Sequence, residues 1–334
     1  MQLTRLVIFA MLSVMLLGCT SDEQRLAKEL ESFHGHVASQ IQQLKTHINA
    51  GRVRNIALLK SYADVLSVQK PELKPIIKAL AKDATLEGPI FTSLVSRLHD
   101  AKVQIPVAAK SPATARALID EFNAINTAAK SDYFNMALSD PINVLADMSE
   151  GKLASVNSGA GQVSSHTQAS GNQLVGNPNY GQWQTDNSGT SFWAWYGQYA
   201  FFSSLFSQPV RYADWSRNRR PSYYNDYGYN AYSSPKQKQQ YQATEQKVRK
   251  KFASEGKKFQ SPYAKKTTTN TDFSNTPKVS GPGKFKSAYA SKSTHQSGSN
   301  NKPYQSSFAK ANNQTYTSRT KNTSGSRSYG SGGK

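Results

Sequence analysis

The aliphatic residues of this 334-residue chain are concentrated in its first half. Leu, Ile and Val recur at helical spacing to about residue 150 and nearly vanish after Val210. Charge divides at the same place. Residues 1–150 carry 16 Lys/Arg against 15 Asp/Glu, and residues 151–334 carry 25 against 6. Only the first part has enough aliphatic surface to offset the entropy of ordering a chain. The expected fold class is all-α: a small helical bundle or hairpin domain followed by a largely disordered basic tail.

The helices are read from apolar stripes. Leu26, Leu30, Phe33, Val37, Ile41, Leu44 and Ile48 form one continuous stripe that Gly51 ends. Val53, Ile56, Leu59, Ala63 and Leu66 make a second. Pro71 and Pro75 break it and start a third, with Leu73, Ile76, Ile77 and Leu80. Pro89 opens a fourth, in which Ile90, Leu94, Val95 and Leu98 face inward. Ser111-Pro112 supplies an N-cap and a first-turn proline for a fifth, carrying Ala115, Leu118, Phe122, Ile125, Ala129, Tyr133 and Met136. Asp140-Pro141 repeats that capping logic for a last short helix to about Glu150. The first and fifth helices are long enough to pack along each other.

Cys19 is the single cysteine, and its neighbourhood is specific. Arg5 precedes an apolar run of 12 residues, Leu6 to Leu17, followed by Leu16-Leu17-Gly18-Cys19 and polar Thr20-Ser21-Asp22. The run is short of the roughly 20 residues of a spanning helix, and its order of charged, apolar and small residues is that of an export signal. This segment resembles the lipobox of secreted bacterial lipoproteins. The resemblance implies that residues 1–18 are removed and that Cys19 carries a diacylglyceryl group. Two or three acyl chains at roughly 0.8 kcal/mol per buried methylene make a firm anchor. Thr20, where an Asp favours the inner membrane, points to the outer membrane. The expected organisation is a signal peptide (1–18), a lipid-anchored helical domain (19–150), a flexible linker (151–176), an aromatic-rich segment (177–232) and a disordered Lys/Ser/Tyr-rich tail (233–334).

The aromatic segment holds all four tryptophans, Trp183, Trp193, Trp195 and Trp215. On a helix, Phe192, Trp195, Tyr199, Phe202 and Phe206 would share one face. Three roles are open to it: completing the core of the helical domain, lying in a membrane interface, or binding a partner. Arg211, Arg217, Arg219 and Arg220, followed by Tyr223, Tyr224, Tyr227, Tyr229 and Tyr232, mix cations with rings in a way that suits sugars or anionic groups; a sticky linker is the plainer alternative.

The tail carries a degenerate motif: an aromatic ring, any residue, Ser, any residue, an aromatic ring, Ala, then Lys within two residues. Its copies centre on Phe259 and Tyr263, on Phe285 and Tyr289, and on Tyr304 and Phe308. Unequal intervals exclude a solenoid. Weak motifs on one string act together by multivalency, although a tract of this composition also produces lookalikes by chance. The basic charge seeks polyanions. For an exported chain these are anionic lipids, lipopolysaccharide phosphates and acidic polysaccharide, or an envelope protein; nucleic acid is disfavoured.

Catalytic chemistry finds little support. His34-Gly35-His36 lies on a helix, where positions two apart diverge by about 200°. His47, His99, His166 and His295 are scattered. Glu29, Glu31, Asp120 and Glu121 read as solvated helix acids. Neither a Gly-x-Ser-x-Gly elbow nor a phosphate-cradling loop occurs. The expectation is a non-enzymatic structural or interaction protein without cofactor or metal.

Overall fold

The structure is a computed structural model that describes residues 21–156 and 169–263. The fold is mostly helical, with one small two-stranded sheet. The chain opens with α1 (Asp22–Asn49), started by a capping box in which Ser21 and Gln24 satisfy each other's backbone N–H groups. Gly51, at φ +65°, lets the chain leave α1 in the left-handed region. Next come α2 (Arg54–Gln69), a 3₁₀ turn at Pro71–Leu73, α3 (Lys74–Ala81) and α4 (Pro89–Ala108). They are followed by α5 (Pro112–Ala128), α6 (Ser131–Ala137) and α7 (Ser139–Met148). Ser111 caps α5, its hydroxyl accepting from Thr114 N. α1 packs along α4 and α5, and α2 packs on α3 and α7. No helix among the described residues is long and apolar enough to cross a membrane.

The stripes differ from the expectation in three details. Val95 is exposed, because Ile90, Leu94, Leu98, Ala101 and Ile105 define the buried face of α4. The fifth helix stops at Ala128, and the turn through Ala129–Lys130 rotates the register so that Phe134, not Tyr133, enters the core. Asp140 does not cap the last helix; it lies within the first turn of α7 and is buried.

Beyond α7 the chain departs further from an all-α bundle with a loose tail. The ends of the expected linker belong to the body. Leu153, Val156, Leu174 and Val175 are buried, and Asn143 fixes Val156 through both its N–H and its C=O. β1 (Gly181–Thr185) and β2 (Ser191–Trp195) form an antiparallel hairpin with Trp183 opposite Trp193. The shared face that Phe192, Trp195 and Tyr199 would have on a helix therefore does not form. Trp193-Ala194-Trp195 follows the two-residue period of a strand, which puts both indoles on the side of Trp183. Gly181 is required there, since a Cβ would meet Ala194 O at 2.5 Å and the Trp193 ring at 2.8 Å.

Short helices α8 (Phe202–Leu205), α9 (Tyr212–Asn218) and α10 (Tyr229–Tyr232) follow, the last preceded by a π-helical turn at Tyr224–Gly228. α11 (Pro235–Ser254) then occupies sequence expected to be disordered. Ser234 and Gln237 form its capping box, Pro235 is its first residue, and Tyr241, Val248 and Phe252 bury one side of it. The rest of the expected tail, and the segments 1–20 and 157–168, lie outside the described residues.

The second half docks on the first through buried polar contacts. Tyr180, Tyr199, Phe202, Tyr223, Tyr224 and Tyr232 join the same apolar core as the helices. Each ring fully buried contributes on the order of 2 kcal/mol or more. The Tyr180 hydroxyl donates to Asp83 at 2.9 Å, and the other Asp83 oxygen accepts from Ile90 N at the start of α4. Asp140 accepts from the backbone N–H groups of Tyr223 at 2.7 Å and Tyr224 at 3.0 Å. Arg97 and Glu121, 5% and 7% exposed, form a bidentate ion pair at 2.8 and 2.9 Å. Arg97 also donates to Ala231 O at 2.6 Å. Glu121 is thus no solvated helix acid, because the arriving α10 covers it.

Burial pushes the Asp83 carboxyl up to about 7, although Tyr180 and Ile90 both donate to it. In the unfolded chain an aspartate titrates near 3.9. Between those values the folded state holds a proton that the unfolded state has released, so stability falls as pH rises from about 4 to about 7. Asp140 adds to the slope, since burial pushes it up to about 7 as well. Thermal unfolding across this range is expected to show the melting temperature falling with pH. Asp83→Asn removes a titrating group while its amide keeps a partner in the Tyr180 hydroxyl, and it should flatten the slope. A slope unchanged by Asp83→Asn would contradict the assignment.

Candidate anion-binding groove

The aromatic residues singled out by sequence are brought together, but largely inside. Trp193, Tyr199, Phe202 and Trp215 are buried, whereas Trp183, Trp195, Phe259 and Tyr263 are half-buried. Trp183 is the hub. Its ring lies 5.1 Å from Trp193, 4.7 Å from Tyr212 and 5.0 Å from Trp215. Tyr199 packs edge-on to Tyr180 at 5.1 Å, and Phe202 stands 4.9 Å from Trp195. The indole N–H groups of Trp193 and Trp215 have no acceptor among the described residues, so ring packing is their main contact. Burial of the four rings, Tyr199 and Phe202 in the core shared with the helices, agrees with the first of the three roles open to the segment, completing the core of the helical domain. Cys19, Phe285, Tyr289, Tyr304 and Phe308 lie outside the described residues.

The cation-and-ring segment divides: Arg211 and Arg217 are exposed, whereas Arg219 and Arg220 are not. Arg219 pairs with Asp226, and Arg220 pairs with Asp147, all four side chains being largely buried. Tyr223, Tyr224 and Tyr232 are core residues. These arginines neutralise carboxylates of the fold and do not present charge to solvent.

Cationic surface is found instead where the hairpin turn, α9 and α11 meet. They enclose a groove of about 510 Å³. The turn offers Ser188, Gly189 and Thr190; α9 and the residue before it offer Arg211 and Arg217; α11 and its exit offer Lys247, Lys251 and Lys257. Two carboxylates, Asp214 and Glu255, accompany the five cations. Arg217 binds Asp214 at 3.0 Å, and Lys257 binds Glu255 at 2.8 Å. Glu255 is held below the usual carboxylate range by its bond to Lys257 and by that charge, with Lys251 and Arg217 adding to it. The surplus of Arg211, Lys247 and Lys251 makes the groove electropositive.

Local chemistry explains its walls. Asp186 accepts from Ser188 N, the Ser188 hydroxyl and Thr190 N, and Gly189 takes φ +79°, which shapes the turn. Arg217 stacks over the Phe252 ring at 5.5 Å, which keeps its planar group at the groove wall. A neighbouring cleft of about 610 Å³, of mixed lining with Leu205, Phe206 and Pro209 beside Asn172, Gln208 and Asn218, shares Arg211 and Asp214 with the groove.

Sequence reasoning missed the groove, but two signals were present. Asp186-Asn187-Ser188-Gly189 between two aromatic runs is hairpin chemistry. Ser234-Pro235 with Gln237 starts a helix as clearly as Ser111-Pro112 does. Among the histidines, His34 rests edge-on to Phe122 at 6.3 Å, and His47 bonds the Ser131 hydroxyl at 2.6 Å. No group of three or more metal-capable side chains occurs among the described residues. Comparisons with protein-family models, curated proteins and solved structures return no match.

Proposed function

We propose that this protein is a non-enzymatic cell-envelope lipoprotein. Acyl chains on Cys19 hold it to a bacterial membrane, the outer before the inner. Its cationic face binds an anionic envelope polymer, with phosphate-bearing glycolipid as the leading class. What supports the reading most is the groove between the hairpin turn, α9 and α11, where five cations face two carboxylates. The remaining Lys and Arg of α11, Lys236, Lys238, Arg249 and Lys250, extend the same sign along the helix. Charges gathered on a folded wall lose less entropy on binding than charges on a loose chain. Each contributes roughly 1 kcal/mol at an anionic surface, and salt screens it.

The test uses the purified full chain and lipopolysaccharide. The triple substitution Arg211→Glu, Lys247→Glu and Lys251→Glu is expected to weaken binding at least about tenfold. Raising the ionic strength should weaken the parent in parallel. Circular dichroism should be unchanged, because none of the three side chains is buried. Equal binding by the two proteins would remove the groove from the function. Deleting residues 264–334 then apportions the remainder between body and tail. A cut at residue 236 would not serve, since it removes the buried side of α11. Labelling with radioactive palmitate and its loss in Cys19→Ser tests the anchor.

A second reading, an accessory subunit docking through its helical domain, has one observation in its favour. Val95, Val103 and Val107 stand exposed on one side of α4. Val103→Glu with Val107→Glu should abolish envelope crosslinks if that reading holds, and leave them intact if the groove alone acts.

A further inference from the structure

The first copy of the tail motif is described as far as Tyr263, and its two rings and its serine each have their own contact. The Phe259 ring packs edge-on to Phe252 at 5.6 Å, with Arg249 stacked over it at 5.7 Å. The Ser261 hydroxyl donates to Glu245. Tyr263 lies between rings, 4.5 Å from Tyr229 and 5.3 Å from Tyr241, both stacked. Its hydroxyl accepts from Trp183 Nε1 at 3.2 Å. The unshared positions contribute otherwise. Gln260 is exposed, and Pro262 is held by its backbone carbonyl, which accepts from Arg219 Nε at 2.9 Å. Any residue at that position supplies the same carbonyl.

This pattern separates chance from recognition. The ring, the serine and the second ring recur in the copies, and they are the positions whose side chains the body reads. The copy at Phe285, Ser287 and Tyr289 keeps all three types, including the hydroxyl that Trp183 needs. The copy at Tyr304, Ser306 and Phe308 lacks that hydroxyl. The stretch between Tyr263 and Phe285 reaches up to about 70 Å when extended, ample to bring the second copy back to the same site.

We propose that the groove formed by Trp183, Arg219, Tyr229, Tyr241 and Glu245 is an acceptor site for the repeated motif, and that residues 285–289 of the same chain exchange with residues 259–263 in it. Exchange moves the last residue held in this site from Tyr263 to Tyr289. The tail therefore has two registers, differing in how much chain projects beyond the body. The third copy competes less well, because Phe308 leaves the Trp183 indole N–H without an acceptor. This inference stands apart from the polyanion reading, since it concerns a different groove and a ligand within the chain.

Two measurements on the full chain test it. The first is non-additivity in thermal unfolding. Tyr289→Ala alone should shift the melting temperature by less than about 1 °C, because the resident copy holds the site. In a Tyr263→Ala background the second copy takes over, and Tyr289→Ala should then lower the melting temperature by about 3 °C or more. Strict additivity overturns the proposal. The second uses a photo-crosslinking phenylalanine analogue at position 286, the counterpart of exposed Gln260, which leaves the Tyr289 hydroxyl in place. Its crosslinks should map to Glu245–Phe252 within one chain, and their yield should rise several-fold with Tyr263→Ala. If Tyr263→Ala does not fold, Tyr263→Phe serves, since it removes only the hydroxyl and hands the advantage to Tyr289. Crosslinks to other surfaces, to a second chain, or at a yield indifferent to Tyr263 would overturn it.

Discussion

Replacing Glu121 by alanine is expected to destabilise the protein by about 3–5 kcal/mol, the largest effect of any single polar substitution considered for this fold. The reason is what stays behind. Arg97 is 5% exposed and makes a two-point bond to Glu121 at 2.8 and 2.9 Å. Without the carboxylate, its charge remains between α4, α5 and α10 with the Ala231 carbonyl as its principal partner. A carbonyl dipole does not neutralise a buried guanidinium, so water must enter or α10 must lift away. Urea unfolding followed by tryptophan fluorescence measures the loss. The paired substitution Arg97→Met with Glu121→Leu removes both charges and keeps apolar volume; it should recover most of the stability. A single-mutant loss below about 1 kcal/mol, the size expected of an exposed pair, would show that the site is wet in solution.

The second large effect is expected at Asp140. Asp140→Ala leaves the N–H groups of Tyr223 and Tyr224 buried without their acceptor, at a cost of about 2–4 kcal/mol. Asp140 acts as a cap supplied from α7 to the helical segment that begins at Tyr223. Ser222 and Asp226 complete that cap, Ser222 Oγ accepting from Asn225 N and Asp226 accepting from Ser222 N. Hydrogen exchange should report the loss locally. Amides of residues 223–232 should lose protection before those of α1 or α5, because they belong to the docked layer. Asp140→Asn retains one acceptor and should recover part of the loss. Uniform loss of protection across the whole chain would mean that the two halves unfold as one unit and that Asp140 is no local latch.

The helical half was legible because its information is local. The stripes of α1, α2, α4 and α5 are sets of residues three or four apart, and their starts at Ser111-Pro112 and Pro89 are local as well. The misreadings there occurred where local pattern is degenerate. Val95 is an apolar residue one step off the buried face of α4, and Tyr133 lies beyond a turn at Ala129 that no stripe announces. The aromatic half was harder for a different reason. Rings satisfy several periodicities at once, so Phe192, Trp195 and Tyr199 fit a helix on paper while Trp193 and Trp195 fit a strand in space. α11 was missed because composition outweighed its caps. Its mean character is cationic and polar, yet Tyr241, Val248 and Phe252 suffice to dock one side of it.

By itself, then, the amino-acid order determined the helices of the first half, most of their starts, and which short motif repeats near the end. Those follow from torsional preference and capping, which act over a few residues. Tertiary structure alone decided what the polar groups are for. Tyr180 meets Asp83 across 97 positions, Tyr223 meets Asp140 across 83, and Arg97 reaches Ala231 across 134. The aromatic layer has too few aliphatics to bury itself, so it takes its interior from the helices. Only that packing removes water from the carboxylates and gathers Arg211, Lys247 and Lys251 at one exposed groove.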